Sequence, residues 1–219
     1  SRLVSVGGYR SVCLVTFDYD TMLEDALNET FGILIRDVPD YIASESYRLI
    51  KIHGSVDWAR EVHSPPIPDL ANRNAWQVAH ELIHHAAELN ISDTYRVVTQ
   101  HPIGKLEGPL TAIFPAIAIP METKRAFECP QAHLDALRAM IPQIRRLLIV
   151  GWRGTELHFV NLLRELCRGE IPGMVVAGDE RAAEEVAVRL QQLPVVWSVS
   201  RRGFTDFVTG GEVDAFLQG

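Results

Sequence analysis

The stretch RLLIVGWRGTELHFVNLLRELC, residues 146–167, decides the fold class of this chain. It opens with Arg146–Gly151, an apolar run that ends on a glycine, as a fully buried strand does. Apolar residues then recur at helical spacing between Glu156 and Arg168, namely Leu157, Val160, Leu163, Leu166 and Cys167. The stretch therefore predicts a buried strand followed by an amphipathic helix that packs on it.

The same alternation continues to the C-terminal side. Met174–Gly178 and Val195–Trp197 are short apolar strands, and Glu180–Leu190 between them is helical. Strands that alternate with helices of this length predict right-handed βαβ crossovers and a parallel sheet. Beyond the last strand, residues 203–217 predict one or two amphipathic helices at the edge of the sheet.

The N-terminal half begins in the same way. Val12–Thr16 is strand-like, Met22–Phe31 is helical, and Tyr47–Ile52 is a second strand that runs into His53-Gly54. We therefore predict an α/β, Rossmann-like fold: a doubly wound, mostly parallel sheet with helices on both faces. A length of 219 residues fits a single domain over residues 1–219.

The pattern loosens between residues 59 and 110. Three prolines, at positions 65, 66 and 68, precede a helical pattern over residues 75–89. We interpret residues 59–110 as a helical insertion or cap over the sheet. Thr111–Ile119 returns to strand character. Pro115, which has no N–H to donate, either argues against a strand there or predicts one at the sheet edge.

Composition excludes several classes of protein. A formal charge of −7 argues against general nucleic-acid binding, which needs clustered Lys and Arg. The three cysteines contain no C-x-x-C pair, so neither a disulfide framework nor a thiolate zinc site is indicated. No apolar run is long enough for a bilayer and no signal peptide is visible, which predicts a cytoplasmic protein without a membrane partner. Because the chain starts at Ser1 without a methionine, we expect further residues upstream.

Three polar clusters follow predicted strands. In a doubly wound sheet, ligands bind beyond the carboxyl ends of the strands, so these clusters are the candidate site. They are Thr16-Phe17-Asp18-Tyr19-Asp20, Lys51-Ile52-His53-Gly54-Ser55 and Gly151-Trp152-Arg153-Gly154-Thr155. If their strands are neighbours, the three loops converge on one crevice. Gly178-Asp179 and Gly203-Phe204 follow the later strands and, by position, could border an adenine.

In this order the clusters resemble the SIR2-like (sirtuin-related) NAD-binding domain, in the bacterial branch that lacks the zinc module. The motifs of that family are T-x-N-Y-D, K-[LI]-H-G-S and a hydrophobic strand ending in G-[YW]. They correspond here to residues 16–24, 51–58 and 148–156, and the resemblance extends from about Val12 to the C-terminus. It implies a Rossmann-like fold that binds NAD. Relatives cleave the nicotinamide–ribose bond, as protein deacylases or as NAD hydrolases in antiviral defence.

The resemblance also implies roles for individual residues. His53 would be the general base that faces the ribose hydroxyls, with Asp18 as its ribose-side catalytic partner. An imidazole suits this role because its ordinary pKa of about 6.5 lies near neutrality. The nucleotide would be held by Thr16, Phe17, Asp20, Gly54, Ser55, Gly151, Trp152, Arg153, Gly178 and Asp179. The alternative for His53 is a strand-end histidine that only bonds backbone.

Two departures from the family pattern keep a second function open. Asp18 replaces the asparagine of T-x-N-Y-D, and an ionised carboxylate can only accept hydrogen bonds. The glycine-rich phosphate loop of the family is absent, since Gly7-Gly8 is too near the Val12 strand to replace it. Either that loop and its strand lie upstream, or the domain is a non-catalytic sensor of NAD or ADP-ribose. Such a module would serve an effector or sensor domain, or a homo-oligomer.

A third hypothesis comes from His80-Glu81-Leu82-Ile83-His84, a literal H-E-x-x-H. On a helix, His80 and His84 share one face, and Glu81 could activate a zinc-bound water. That arrangement would make a zinc hydrolase. A third ligand is required, and Glu88 and Glu107 are possible ones, without a supporting pattern.

Overall fold

A computed structural model describes residues 11–64, 66–99, 105–108, 111–117 and 127–218. Gly7-Gly8, Pro65 and the predicted strand beyond Ile117 lie outside these ranges. The chain is α/β, as predicted, and divides into two compact units. The N-terminal unit is Leu14–His133, and the C-terminal unit contains Leu134–Gly219. That the whole chain is one domain stays a prediction.

The C-terminal unit contains the predicted βαβ pattern. Its elements are the end of α3 (Gln131–Met140), β7 (Leu147–Val150), α4 (Leu157–Leu166), β8 (Ile171–Val176), α5 (Glu180–Arg189), β9 (Val195–Val199), α6 (Phe204–Thr209) and α7 (Glu212–Gln218). The strands β7, β8 and β9 are parallel and adjacent in that order, with Val150 opposite Val176 and Val175 opposite Val199. The predicted parallel sheet is thus confirmed for these three strands.

The N-terminal unit begins at Leu14, within β1 (Val12–Thr16). Its further elements are α1 (Met22–Phe31), β2 (Tyr47–Lys51), β3 (Gly54–His63), α2 (Ala75–His84), β4 (Asn90–Val97), β5 (Lys105–Gly108) and β6 (Thr111–Ile117). β1 pairs with β2, and a separate antiparallel sheet has the order β4-β3-β6-β5. The described strands thus lie in three sheets. That β1, β2 and β7–β9 share one doubly wound sheet stays a prediction.

Residues 59–110 differ from the predicted helical cap. Helix α2 is present, but the stretch also supplies the second half of β3 and all of β4 and β5. Local patterns did not indicate these strands because charged and polar residues interrupt their apolar residues. β4, at the edge of its sheet, has no buried residue. β3 carries Arg60, whose charge is paired with the distant Glu128 at 2.9 Å.

The prediction that Pro115 places its strand at a sheet edge is wrong. β6 lies between β3 and β5 in the sheet. Among the described residues, however, β5 pairs only with Thr111, Ala112 and Ile113. Within the described residues, the missing N–H of Pro115 therefore interrupts no pairing with β5.

The core of the N-terminal unit surrounds three aromatic side chains. Tyr41 and Trp58 are fully buried and meet edge to face at a centroid distance of 5.1 Å. His133, the third, packs against Trp58 at 5.5 Å, and its Nε2–H donates to the Val38 carbonyl at 3.0 Å. Within the part of the chain that the structure describes, no helix combines the length and apolar character needed to cross a bilayer.

Candidate functional site

The first two sequence clusters are held together by hydrogen bonds. The Ile52 N–H donates to the Thr16 carbonyl at 3.2 Å, which links the ends of β2 and β1. The Tyr19 carbonyl accepts from the Val56 N–H at 2.9 Å and from the Ser55 hydroxyl at 3.2 Å. The two loops are therefore neighbours, as their place after two strands predicts.

His53 lies in the tight turn between β2 and β3, where two aromatic rings contact it. The Phe17 ring meets the imidazole edge to face at a centroid distance of 5.4 Å, and the Tyr19 ring stacks on it at 6.1 Å. Only 9% of His53 is exposed. The imidazole is thus mostly buried and contacts both rings.

Gly54 is required by the fold immediately after His53. Its φ is +82°, and a Cβ there would lie 1.8 Å from the Ala116 carbonyl oxygen of β6. The absence of a side chain therefore lets β3 approach β6 at this point. Ser55 is fully buried and donates to the Tyr19 carbonyl. That Gly54 and Ser55 also contact a nucleotide stays a prediction.

Asp18 is positioned by a local turn. Its N–H donates to Thr16 Oγ1 at 3.0 Å, and its side chain is exposed between the two residues whose rings contact His53. Burial, and secondarily the nearby Asp18 charge, raises the pKa of the Tyr19 hydroxyl. Asp20 accepts from the Met22 N–H at 3.0 Å, so this carboxylate serves the start of α1.

A buried ion pair lies beneath this loop, and the sequence interpretation gave it no role. Lys51 is fully buried, and its ammonium lies 2.9 Å from Glu24 Oε1. Glu24 Oε1 also accepts from the Tyr41 hydroxyl at 2.8 Å. The signal for Lys51 was its place among the apolar residues Leu49, Ile50 and Ile52, because a charge in a buried run has to be paired.

The third cluster follows β7 in the C-terminal unit. Gly151 has a φ of +68° with open space at its Cβ position, and its N–H donates to the Val176 carbonyl at 3.0 Å. The Trp152 indole N–H donates to the Glu156 carboxylate. The Arg153 side chain is exposed, and its carbonyl accepts from Arg189. The loop is thus a tight β-to-α turn with one exposed guanidinium.

Gly178 and Asp179 follow β8 at the same edge of the parallel sheet. Asp179 caps α5, because its Oδ1 accepts from the Ala182 N–H at 2.8 Å. Gly203, after β9, lies close to them: a Cβ there would be 3.3 Å from the Gly178 carbonyl oxygen. These residues share one edge within the C-terminal unit, whereas Thr16–Asp20 and His53 belong to the N-terminal unit. That all these loops line one crevice stays a prediction.

The H-E-x-x-H motif lies on α2. His80 and His84 are exposed, whereas Glu81 pairs with Arg73 at 2.6 Å and lies 3.4 Å from His85 Nε2. The hydrogen bond from Arg73 holds the pKa of Glu81 below its usual range, which weakens this carboxylate as a base. In the ranges that the structure covers, no three or more His, Cys, Asp or Glu side chains are arranged to hold a metal ion.

Comparison of the chain with protein-family models, with curated proteins and with solved structures found no match. The functional interpretation therefore depends on the residues and geometry of the chain itself.

Proposed function

We propose that the chain is an NAD-binding, SIR2-like domain of Rossmann type that hydrolyses NAD at the nicotinamide–ribose bond, with His53 as general base and Asp18 as its ribose-side partner. The observation that carries this proposal is the fixed imidazole: His53 is 9% exposed and lies between the rings of Phe17 and Tyr19. The loops that flank it are bonded to each other through the carbonyls of Thr16 and Tyr19.

The chemistry of these side chains suits a ribose and a cationic base. Water would attack the anomeric carbon, its proton would pass to His53, and the C–N bond would break to release nicotinamide and leave ADP-ribose. The exposed Asp18 carboxylate supplies a negative charge that can stabilise the positive charge developing on the sugar. Phe17 and Tyr19 provide apolar ring surface beside the imidazole.

The pyrophosphate needs a different set of groups. Helix N-termini commonly bind phosphate, but α4 and α5 begin at carboxylates, Glu156 and Asp179, and Asp179 already accepts the Ala182 N–H. Arg153, one of the residues that the resemblance implies would hold the nucleotide, is exposed in the turn after β7, and a guanidinium can bind phosphate. We therefore propose phosphate binding through this guanidinium rather than through either helix.

The test is nicotinamide release from NAD, followed by chromatography, in the whole protein. We expect turnover by the wild type and none by His53→Ala. His63→Ala is a matched control, because His63 is an exposed histidine on β3 that bonds Thr111 at 3.1 Å and has no role in the site. Equal turnover by wild type and His53→Ala would remove His53 from the mechanism.

A second candidate function is a sensor that binds NAD or ADP-ribose without cleaving it. The carboxylate at position 18, where the family has an amide, and the capped start of α5 favour this alternative. Calorimetry separates the two functions. Heat of binding from NAD without nicotinamide release would select the sensor, and Asp18→Asn would then be the variant in which turnover is sought. Protein that binds neither NAD nor ADP-ribose and releases no nicotinamide would contradict both.

A further inference from the structure

The Lys51 ammonium has three hydrogen-bond donors and uses all of them in one place. It donates to the Tyr19 carbonyl at 3.5 Å, to the Asp20 carbonyl and to Glu24 Oε1 at 2.9 Å. All three acceptors belong to the loop and first helical turn that follow β1. Lys51 itself ends β2, two residues before His53. The ammonium therefore ties the loop that carries the Phe17 and Tyr19 rings to the segment that carries the imidazole.

Glu24 connects this tie to the core. Its Oε1 accepts from both Lys51 and Tyr41, and Tyr41 is fully buried against Trp58. The other carboxylate oxygen, Oε2, is buried and has no hydrogen-bond partner. Because desolvation offsets most of the attraction within a buried ion pair, an apolar pair of similar size would stabilise the fold about as well. What an apolar pair could not do is donate hydrogen bonds, and those of Lys51 fix the positions of the Tyr19 and Asp20 carbonyls.

We propose that Lys51 and Glu24 are positioning residues, which hold the loop Phe17–Asp20 so that its two rings bracket His53. Neither side chain is assigned contact with the substrate. They act through the carbonyls of Tyr19 and Asp20, and the carbonyl of Tyr19 is also fixed by Ser55 and Val56. The consequence for catalysis rests on the proposed function, whereas the effect on the imidazole does not.

The test uses histidine labelled with ¹⁵N and follows the ring signals of His53 by NMR, assigned with His53→Ala. The Phe17 and Tyr19 rings displace these signals from their values in a flexible chain. The double variant Lys51→Met/Glu24→Gln removes both charges together, so that neither is left buried alone. We expect it to fold, as judged by circular dichroism, and the His53 signals to move towards flexible-chain values. Glu24→Gln alone should move them in the same direction by less.

The matched control is Arg73→Met/Glu81→Gln, which removes an ion pair on α2 in the same unit. It should leave the His53 signals in place. Unchanged His53 signals in the folded double variant would overturn the proposal. If the double variant does not fold, Glu24→Gln decides, and unchanged signals there would overturn it equally.

Activity gives a second, separate readout. With NAD as substrate, a misplaced base should lower kcat/KM by about 100-fold, mostly through kcat. Displaced His53 signals in a protein whose wild type neither binds nor cleaves NAD would leave the positioning role standing and refute the proposed function. A merely structural pair would lower stability without moving the His53 signals or kcat.

Discussion

Gly54→Ala tests how closely the turn at His53 is fitted to β6. The residue has a φ of +82°, and an added Cβ would lie 1.8 Å from the Ala116 carbonyl oxygen and 2.8 Å from its carbon. Left-handed backbone costs a residue with a Cβ about 1–2 kcal/mol. Displacing packed backbone costs about 1–3 kcal/mol more. We therefore expect Gly54→Ala to lower the free energy of unfolding by about 2–5 kcal/mol.

Gly32→Ala separates the two contributions. Gly32 has a φ of +68° at the end of α1, and nothing lies within 4 Å of its Cβ position. Gly32→Ala should therefore lower the free energy of unfolding only by the cost of the left-handed backbone, about 1–2 kcal/mol. Urea unfolding gives both values, and hydrogen exchange at the amides of β3 and β6 shows whether the loss is local. Equal destabilisation by the two variants would refute the packing argument, and with it the view that Gly54 is fixed by the fold.

Three further predictions concern stability. Lys51→Met alone leaves the Glu24 charge buried and should cost about 3–5 kcal/mol in urea unfolding, whereas adding Glu24→Gln should recover part of that loss; equal stabilities would contradict the pairing. Burial lowers the pKa of His133 below its ordinary value, so its contribution is present above about pH 6.5 and is lost as the pH falls further. Unfolding at pH 7.5 and 5.5 should therefore show a smaller acid loss in His133→Gln than in the wild type. Asp179→Ala removes the cap of α5 and should cost about 1 kcal/mol, and no loss would mean that the bond to Ala182 is not maintained in solution.

The sequence predicted best where the hydrophobic period is strong and the contacts are local. Helix α1 has the predicted bounds, Met22–Phe31, and the alternation from residue 146 onwards gives the parallel strands β7, β8 and β9. α3, in contrast, is an addition to the predicted elements. Its buried His133 bonds the Val38 carbonyl and packs on Trp58, both far away in sequence.

Local sequence patterns did not predict the antiparallel sheet, for a related reason. Arg60 lies in β3, one of the two central strands of its sheet, where a charge argues against a buried strand. Its charge is satisfied by Glu128, 68 positions along the chain, and by Asp93, 33 positions along. A prediction made from one short stretch of sequence at a time cannot identify partners that are so far apart in the chain.

Part of the candidate site, likewise, was predictable from the sequence and part was not. The clusters at 16–20 and 51–55 were recognisable as motifs, and the structure brings them together around His53. The ion pair between Lys51 and Glu24 was not recognisable as a motif, because the two residues are 27 positions apart in the sequence. Tyr41, which also bonds Glu24, is a third residue from yet another part of the chain. The lysine in the apolar run Leu49–Ile52 shows that a partner is needed, but not which residue it is.

The most direct test of the nucleotide pocket is a titration of the ¹⁵N-histidine protein with NAD. The account predicts that the His53 ring signals shift in a saturable way, while those of the exposed His63 stay in place. Signals of His53 that do not move at saturating NAD would contradict the assignment of this pocket.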